Sequence, residues 1–285
     1  MPLIIKNLSH IYMPKSPFEQ IALDDISMTI EDGSFSAVIG HTGSGKSTLI
    51  QHFNVLLKPT YGQILLDDVD MLSKDADLRQ IRRQIGLVFQ YPEYQLFEET
   101  IYKDIAFGPK NLGCSEAEID ERVREACEMV NLGFEEMKDR SPFEISGGQK
   151  RRVAIAGVLA MRPRVLILDE PAAGLDPKGR EEILSLVKKW HDAGTTIVMV
   201  SHSMDDVARY ADHIFVLSKG RLVLEGDRKT VFSKEELLTE IGLGLPSATI
   251  IAKELRSNGI PIPDGCYVLE EVQEHVLNTL KGRCV

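Results

Sequence analysis

Apolar and polar residues alternate along Leu3–Tyr12 and again along residues 21–30, the period-two pattern of half-buried strands. The turn signal Glu31-Asp32-Gly33 closes the second run. Residues 34–39 form a short apolar strand that leads directly into a glycine-rich loop. Residues 48–57 predict a helix, stopped at Lys58-Pro59-Thr60-Tyr61-Gly62. Further strands over 62–66 and 85–89 bracket a charged helix over 76–83. From 116 to 130 the period becomes helical, with Ile119, Val123, Ala126, Cys127 and Val130 on one stripe. A second helix is predicted over 148–161. Between 164 and 217 short apolar strands return, separated by helices near 180–190 and 204–210.

Alternation of this kind predicts an α/β fold with a parallel sheet covered on both faces. The helical stretch in the middle reads as an insertion between two halves of that core. Strand periodicity stops after Gly226, and residues beyond about 235 read as a small, mostly helical appendage. No internal repeat or low-complexity tract interrupts the chain.

Composition narrows the class. Across 285 residues, 43% are hydrophobic and 27% charged, as expected of an ordinary globular protein. Asp and Glu outnumber Lys and Arg by 43 to 33, for a net charge of -10. That balance argues against a protein that holds nucleic acid through its overall field, yet leaves room for a nucleotide site built on backbone amides and one lysine. Cys114, Cys127, Cys266 and Cys284 are scattered and suit reduced thiols better than a zinc site or a disulfide framework. The start of the chain lacks the charged and apolar regions of a secretion signal, and no run approaches the length of a spanning helix. A membrane role is therefore expected to pass through a partner.

The glycine-rich loop carries the first chemistry. Gly40-His41-Thr42-Gly43-Ser44-Gly45-Lys46-Ser47 is a complete phosphate-binding motif between a predicted strand and a predicted helix, with Thr48 next in line. Its glycines let successive N–H groups point at phosphate oxygens, and the helix adds its positive end. Lys46 suits the β- and γ-phosphates, and the Ser47 hydroxyl suits a magnesium ion. The run Val165-Leu166-Ile167-Leu168 then delivers Asp169 and Glu170 at a strand end, where α/β sheets bind ligands. Asp169 is placed to order the metal's water shell, and Glu170 to deprotonate an attacking water.

Ile145-Ser146-Gly147-Gly148-Gln149, followed by Lys150-Arg151-Arg152, resembles the signature motif of ABC ATPases, with Ile145 where leucine is usual. The resemblance covers roughly residues 3 to 225. It implies a P-loop NTPase, RecA-like core over 1–90 and 160–232 and an inserted α-helical signature subdomain over 91–159. A small C-terminal dimerisation region over 233–285 completes the scheme. It also implies a head-to-tail dimer in which Ser146 and Gly148 of one subunit clasp the γ-phosphate bound by the other. Gln90 resembles the Q-loop glutamine, which senses metal and γ-phosphate. Asp176, in Ala173-Gly174-Leu175-Asp176, resembles the D-loop aspartate, and His202 the switch histidine. Tyr12 resembles the aromatic that stacks on adenine. The implied ligands are ATP and Mg2+, the metal lying with Ser47, Gln90 and Asp169. The other six histidines, His10, His41, His52, His191, His213 and His275, carry no such mark of position.

Residues 90–101 and 104–109, with His41-Thr42 and residues 51–60, resemble the ATPases of energy-coupling factor (ECF) transporters, most of all their second ATPase type. That family implies an importer of vitamins or metal ions and a place on the cytoplasmic face of the membrane as a peripheral subunit. The implied partners are a second ABC ATPase, a transmembrane coupling protein and substrate-binding membrane subunits. Glu93, Glu98 and Glu99 suit arginines on coupling helices, or are solvated surface acids. Ile241, Leu243, Leu245 and Ile250 suit a dimer contact or their own core. The alternative is the ATPase of a conventional importer that relies on an extracellular or periplasmic binding protein. A DNA-repair ABC protein would carry a long coiled-coil insertion, and a translation factor two cassettes; neither feature is present.

Overall fold

The computed structural model describes residues 2–282. The described residues fall into two compact units, the first made of residues 2–34 and 47–200, the second of residues 35–46 and 201–282.

In the first unit, β1 (Leu3–Tyr12), β2 (Gln20–Ile30), β4 (Tyr61–Leu66) and β5 (Val69–Asp70) make an antiparallel sheet in the order β2-β1-β4-β5. Its inward residues Leu3, Ile5, Leu8, Leu23, Ile26, Ile30 and Ile64 are buried, which fixes the register because a one-residue slip would turn each of them outward. This sheet is separate from the parallel strands, a division that alternation alone did not reveal. β6 (Ile85–Val88), β7 (Val165–Asp169) and β8 (Thr196–Val200) pair in parallel. Every residue in these three strands is buried, as the uninterrupted apolar runs require of a sheet covered on both faces.

Helices α1 (Lys46–Phe53), α2 (Leu78–Gln84), α3 (Ile101–Asn111), α4 (Glu116–Met129), α5 (Phe134–Met137), α6 (Gly147–Leu159) and α7 (Pro177–Asp192) complete it. The sequence predicts α1 as far as residue 57, but Val55 turns left-handed (φ 55°) and the amides of Leu56 and Leu57 return to the carbonyl of Gln51. The sequence reading assigns no element to residues 101–111, where Gly108-Pro109 punctuate the run. α3 forms there because Thr100 caps it and Ile101, Ile105, Ala106 and Pro109 bury one stripe, with proline confined to the last turn. On α7, Ile183, Leu184, Leu186, Val187 and Trp190 face inward, and the Trp190 indole donates to the carbonyl of Met129 at 3.1 Å.

In the second unit, β3 (Phe35–Gly40) pairs in parallel with β9 (His213–Ser218), and β10 (Arg221–Gly226) closes antiparallel onto β9. β10 departs from the all-parallel expectation because Lys219-Gly220, both at positive φ, turn the chain straight back. Beyond it run α8 (Met204–Tyr210), α9 (Arg228–Phe232), α10 (Glu235–Glu240), α11 (Ser247–Ser257) and α12 (Leu269–Gly282). Ala248, Ala252, Ile262, Cys266 and Val272 form a small core among them. Leu243 is buried while Ile250 stays exposed. Cys114, Cys127 and Cys266 are free thiols; Cys284 lies outside the described residues. Among the described residues no helix is long and apolar enough to cross a membrane.

Candidate functional site

β3 ends at Gly40, where a Cβ would stand 2.4 Å from the carbonyl oxygen of Leu217 and 2.5 Å from Ser44 Oγ, so only glycine fits. The loop then folds on itself: the Ser44 amide donates to the carbonyl of His41, and the Gly220 amide to that of Ser44. Gly43 and Gly45 take positive φ (81° and 105°), and a side chain at Gly43 would meet nothing within 4 Å. His41 Nδ1 lies 2.8 Å from the carbonyl oxygen of Thr42, which stays exposed. Lys46 is buried and its ammonium donates to the carbonyls of Gly40 at 2.7 Å and His41 at 3.0 Å. Its charge therefore sits inside the curl of the loop rather than in solvent. The buried Ser44 Oγ has no hydrogen-bond partner among the described residues. A concave loop with an enclosed cation, an orphaned hydroxyl and an open glycine at position 43 fits an anionic phosphate chain. His202 follows Val200 by two residues. Partial burial, and then the charge of Lys46, hold its imidazole below its ordinary pKa, so it is chiefly neutral at pH 7.

Ser47 follows Lys46 in the first turn of α1. Its hydroxyl donates to Asp169 Oδ2 at 3.3 Å, at the buried end of β7. A hydroxyl and a carboxylate facing each other are hard oxygen donors, the set that suits Mg2+. Glu170, the next residue, holds a left-handed backbone (φ 51°), with its amide donating to the carbonyl of Val200 and its carbonyl accepting from Ala173. A glutamate held in that region is strained, a cost structures sustain chiefly at functional positions. Gln90 is exposed just past β6.

Asp176 caps α7, its carboxylate accepting from the Gly179 amide at 2.7 Å. Ser146 caps α6 reciprocally: its hydroxyl accepts from the Gln149 amide, and Gln149 Oε1 accepts from the Ser146 amide. Gly147 and Gly148 open onto empty space, where a Cβ added to either would meet nothing within 4 Å. Tyr12 ends β1, 39% exposed, its hydroxyl 3.2 Å from Thr48 Oγ1.

Three features escape the sequence reading. His52, 0% exposed, has Nδ1 2.6 Å from the carbonyl oxygen of Thr48 and Nε2 3.1 Å from His10 Nδ1, while His10 Nδ1 also meets the carbonyl of Lys58. Carbonyls only accept, so both rings carry their proton on Nδ1 and His10 donates to His52. Burial pushes the His52 imidazole down to about 4. The His10 ring meets Tyr12 edge-on at 4.5 Å, which ties that aromatic to the helix after the phosphate loop. Second, Glu93 is already engaged by Arg151 of its own chain, and Glu99 pairs with Lys103 on the surface. Third, a cavity of about 710 Å³ opens beside Leu87, Phe89, Phe97 and Phe107, with Arg79, Arg82 and Arg83 on one side. The Glu93 pairing had a signal: Arg151 shares a helical stripe with Ile155 and Leu159.

The ABC transporter family model matches residues 23–173. The energy-coupling factor transporter ATP-binding protein EcfA2 of Clostridium perfringens is 56% identical over 283 residues, 99% of each chain. Its counterpart of the same name from Caldanaerobacter subterraneus is 55% identical over the same share of each. Among solved structures, cbiO1 of Clostridium perfringens, described as part of the ABC transporter complex cbiONQ, superposes with a TM-score of 0.72 at 41% identity. That match covers 84% of this chain and 93% of cbiO1. The ATP-binding cassette MJ0796, as a post-hydrolysis dimer bound to ADP and Pi, gives 0.69 at 31% identity, covering 79% and 98%. With its α/β P-loop fold, the chain is an ATP-binding ABC ATPase and belongs to the energy-coupling factor transporter ATP-binding proteins, in the branch of the second ATPase type.

Proposed function

We propose that this chain hydrolyses ATP to drive an ECF-type importer of vitamins or metal ions. It does so as a peripheral subunit on the cytoplasmic face of the cell membrane. Its partners are a second ABC ATPase, a transmembrane coupling protein and substrate-binding membrane subunits. The observation that carries the reading is the loop 40–47: a buried lysine held by the loop's own carbonyls, followed at once by a serine that faces Asp169. The names of the relatives support the transporter class.

In this reading the backbone and side chains of Gly40 to Thr48 surround the phosphates, and Lys46 offsets the charge of the β- and γ-phosphoryl groups. Tyr12 offers its ring to adenine. Ser47, Asp169 and Gln90 would hold Mg2+, whose bound form supplies Lewis-acid polarisation of the phosphoryl oxygens. Glu170 takes a proton from water as the water oxygen bonds to the γ-phosphorus and the bond to the ADP oxygen breaks. His202, neutral at pH 7, donates one N–H to the γ-phosphate. Ser146, Gly147, Gly148 and Gln149 close over the nucleotide of the facing cassette, and Asp176 lies at the junction of the two. The dimeric form of MJ0796 supports that pairing. The ATP-binding core of 1–90 and 160–232, the signature subdomain of 91–159 and the dimerisation region of 233–285 belong to the same proposal.

The test is steady-state phosphate release by Glu170→Gln beside wild type, with nucleotide binding measured in parallel. Retained binding with lost turnover supports the assignment; unchanged turnover overturns it. Affinity purification from membranes tests the partners. Recovery of a small multispanning substrate-binding subunit supports the ECF reading, and recovery of a soluble binding protein with a two-permease core overturns it.

A further inference from the structure

Arg151 is a full cation only 2% exposed, in the first turns of α6. Its Nε donates to Glu93 Oε2 at 3.0 Å and its Nη2 to Glu93 Oε1 at 2.8 Å, a two-pronged ion pair. Its Nη1 donates to the carbonyls of Ala173 at 2.6 Å and Pro171 at 3.3 Å. The Tyr91 ring lies 5.8 Å from the guanidinium carbon. Tyr91 also packs on Gly174, where an added Cβ would meet its Cε1 at 3.4 Å. One planar group thus joins three segments: the residues just after Gln90, the helix behind Ser146, and the residues just after Glu170.

We propose that Arg151 is a positioning residue for hydrolysis: it locks residues 171–173 to residues 91–93, so that displacement of the segment after Gln90 is transmitted to Glu170 and Asp176. The proposal rests on the roles given above to Gln90 and Glu170. A buried ion pair resists separation, because removing either partner leaves the other charge stranded. The guanidinium fork holds carboxylate and carbonyls at a fixed mutual angle, which a single ammonium cannot reproduce. Both Tyr91 (φ 54°) and Glu170 (φ 51°) hold left-handed backbones on either side of the junction, conformations that persist only where surroundings over-determine them.

The test compares Arg151→Lys and the charge-free double variant Arg151→Gln/Glu93→Gln with wild type and Glu170→Gln. Each is purified as the full-length chain in complex with its membrane partners. Steady-state kcat and KM for ATP are measured with Tm. Misplacement of the catalytic base lowers kcat by about tenfold or more in both variants while KM stays within about twofold. Tm of at least one variant stays within a few degrees of wild type. Wild-type kcat in both variants, with Glu170→Gln inactive, overturns the inference and leaves the reading of the site standing. A fall in kcat that merely tracks loss of folded protein in both variants overturns it as well, by assigning Arg151 to stability. Retained turnover in Glu170→Gln removes the general base that Arg151 is held to position and overturns both.

Discussion

Two glycine-bearing junctions open helices in this chain, and they are built to opposite plans. In the loop 40–47 the cation is enclosed, Gly40 is pressed against Leu217, and the turn is closed by its own amides. At residues 146–149 the serine is capped by its own helix, but Gly147 and Gly148 face open space and Ser146 is exposed. In the proposed function the first junction finishes an anion cradle within one chain. The second has the same amide-rich helix start and no counter-charge of its own within the motif, which is what a half-site completed by another cassette requires.

The largest expected effect lies on neither glycine loop: Glu170→Gln lowers turnover by about a thousandfold, read as phosphate release, since general-base removal costs of that order. Next come the variants that separate the two junctions. Lys46→Ala weakens ATP binding about a hundredfold, as expected when a charge-assisted phosphate contact is lost; binding is followed by titration with a fluorescent ATP analogue. Gly148→Asp leaves that binding unchanged and lowers turnover about a hundredfold, because a carboxylate repels a phosphate brought to it from outside. Equal loss of binding in both would erase the contrast. Tyr12→Ala raises KM about tenfold, in line with the worth of one aromatic stack on a base, measured by ATP titration of turnover.

The smallest effect concerns the helix behind the phosphate loop. His52 titrates near 4 when folded and near 6.5 when unfolded, so below pH 6.5 the unfolded chain binds a proton that the folded chain refuses. Stability on this account is complete above 6.5 and falls as pH drops toward 4, by about 1.4 kcal/mol at pH 5.5. For a chain of this size that is a drop of about 2 °C in Tm, which His52→Gln should abolish in a pH series by calorimetry.

Much of the parallel core was legible because it is buried on both faces. Val165-Leu166-Ile167-Leu168 and residues 196–200 announce themselves as apolar runs. The phosphate loop was legible because its chemistry demands particular residues at fixed spacing. Arg151 was marked only by its stripe with Ile155 and Leu159, and its partner Glu93 lies too far back in the sequence for any local pattern to pair the two. Nor was α3 legible: its Gly108 and Pro109 argue locally against a helix that Ile101 and Ile105 stabilise through packing. β10 was hidden by its own alternation, which marks an edge strand without saying which neighbour it joins or in which direction.

The antiparallel sheet also bears on how the chain is made. Its four strands all lie between Leu3 and Asp70, whereas β6 joins the parallel set only when Ile85 meets Val165, far down the chain. Short closures are reached sooner than long ones, so a chain emerging from the ribosome can assemble this platform while the strand that bears Asp169 is still unmade. Deleting β1, which pairs on both edges, would leave β2 and β4 with open flanks and turn an early scaffold into a source of aggregation.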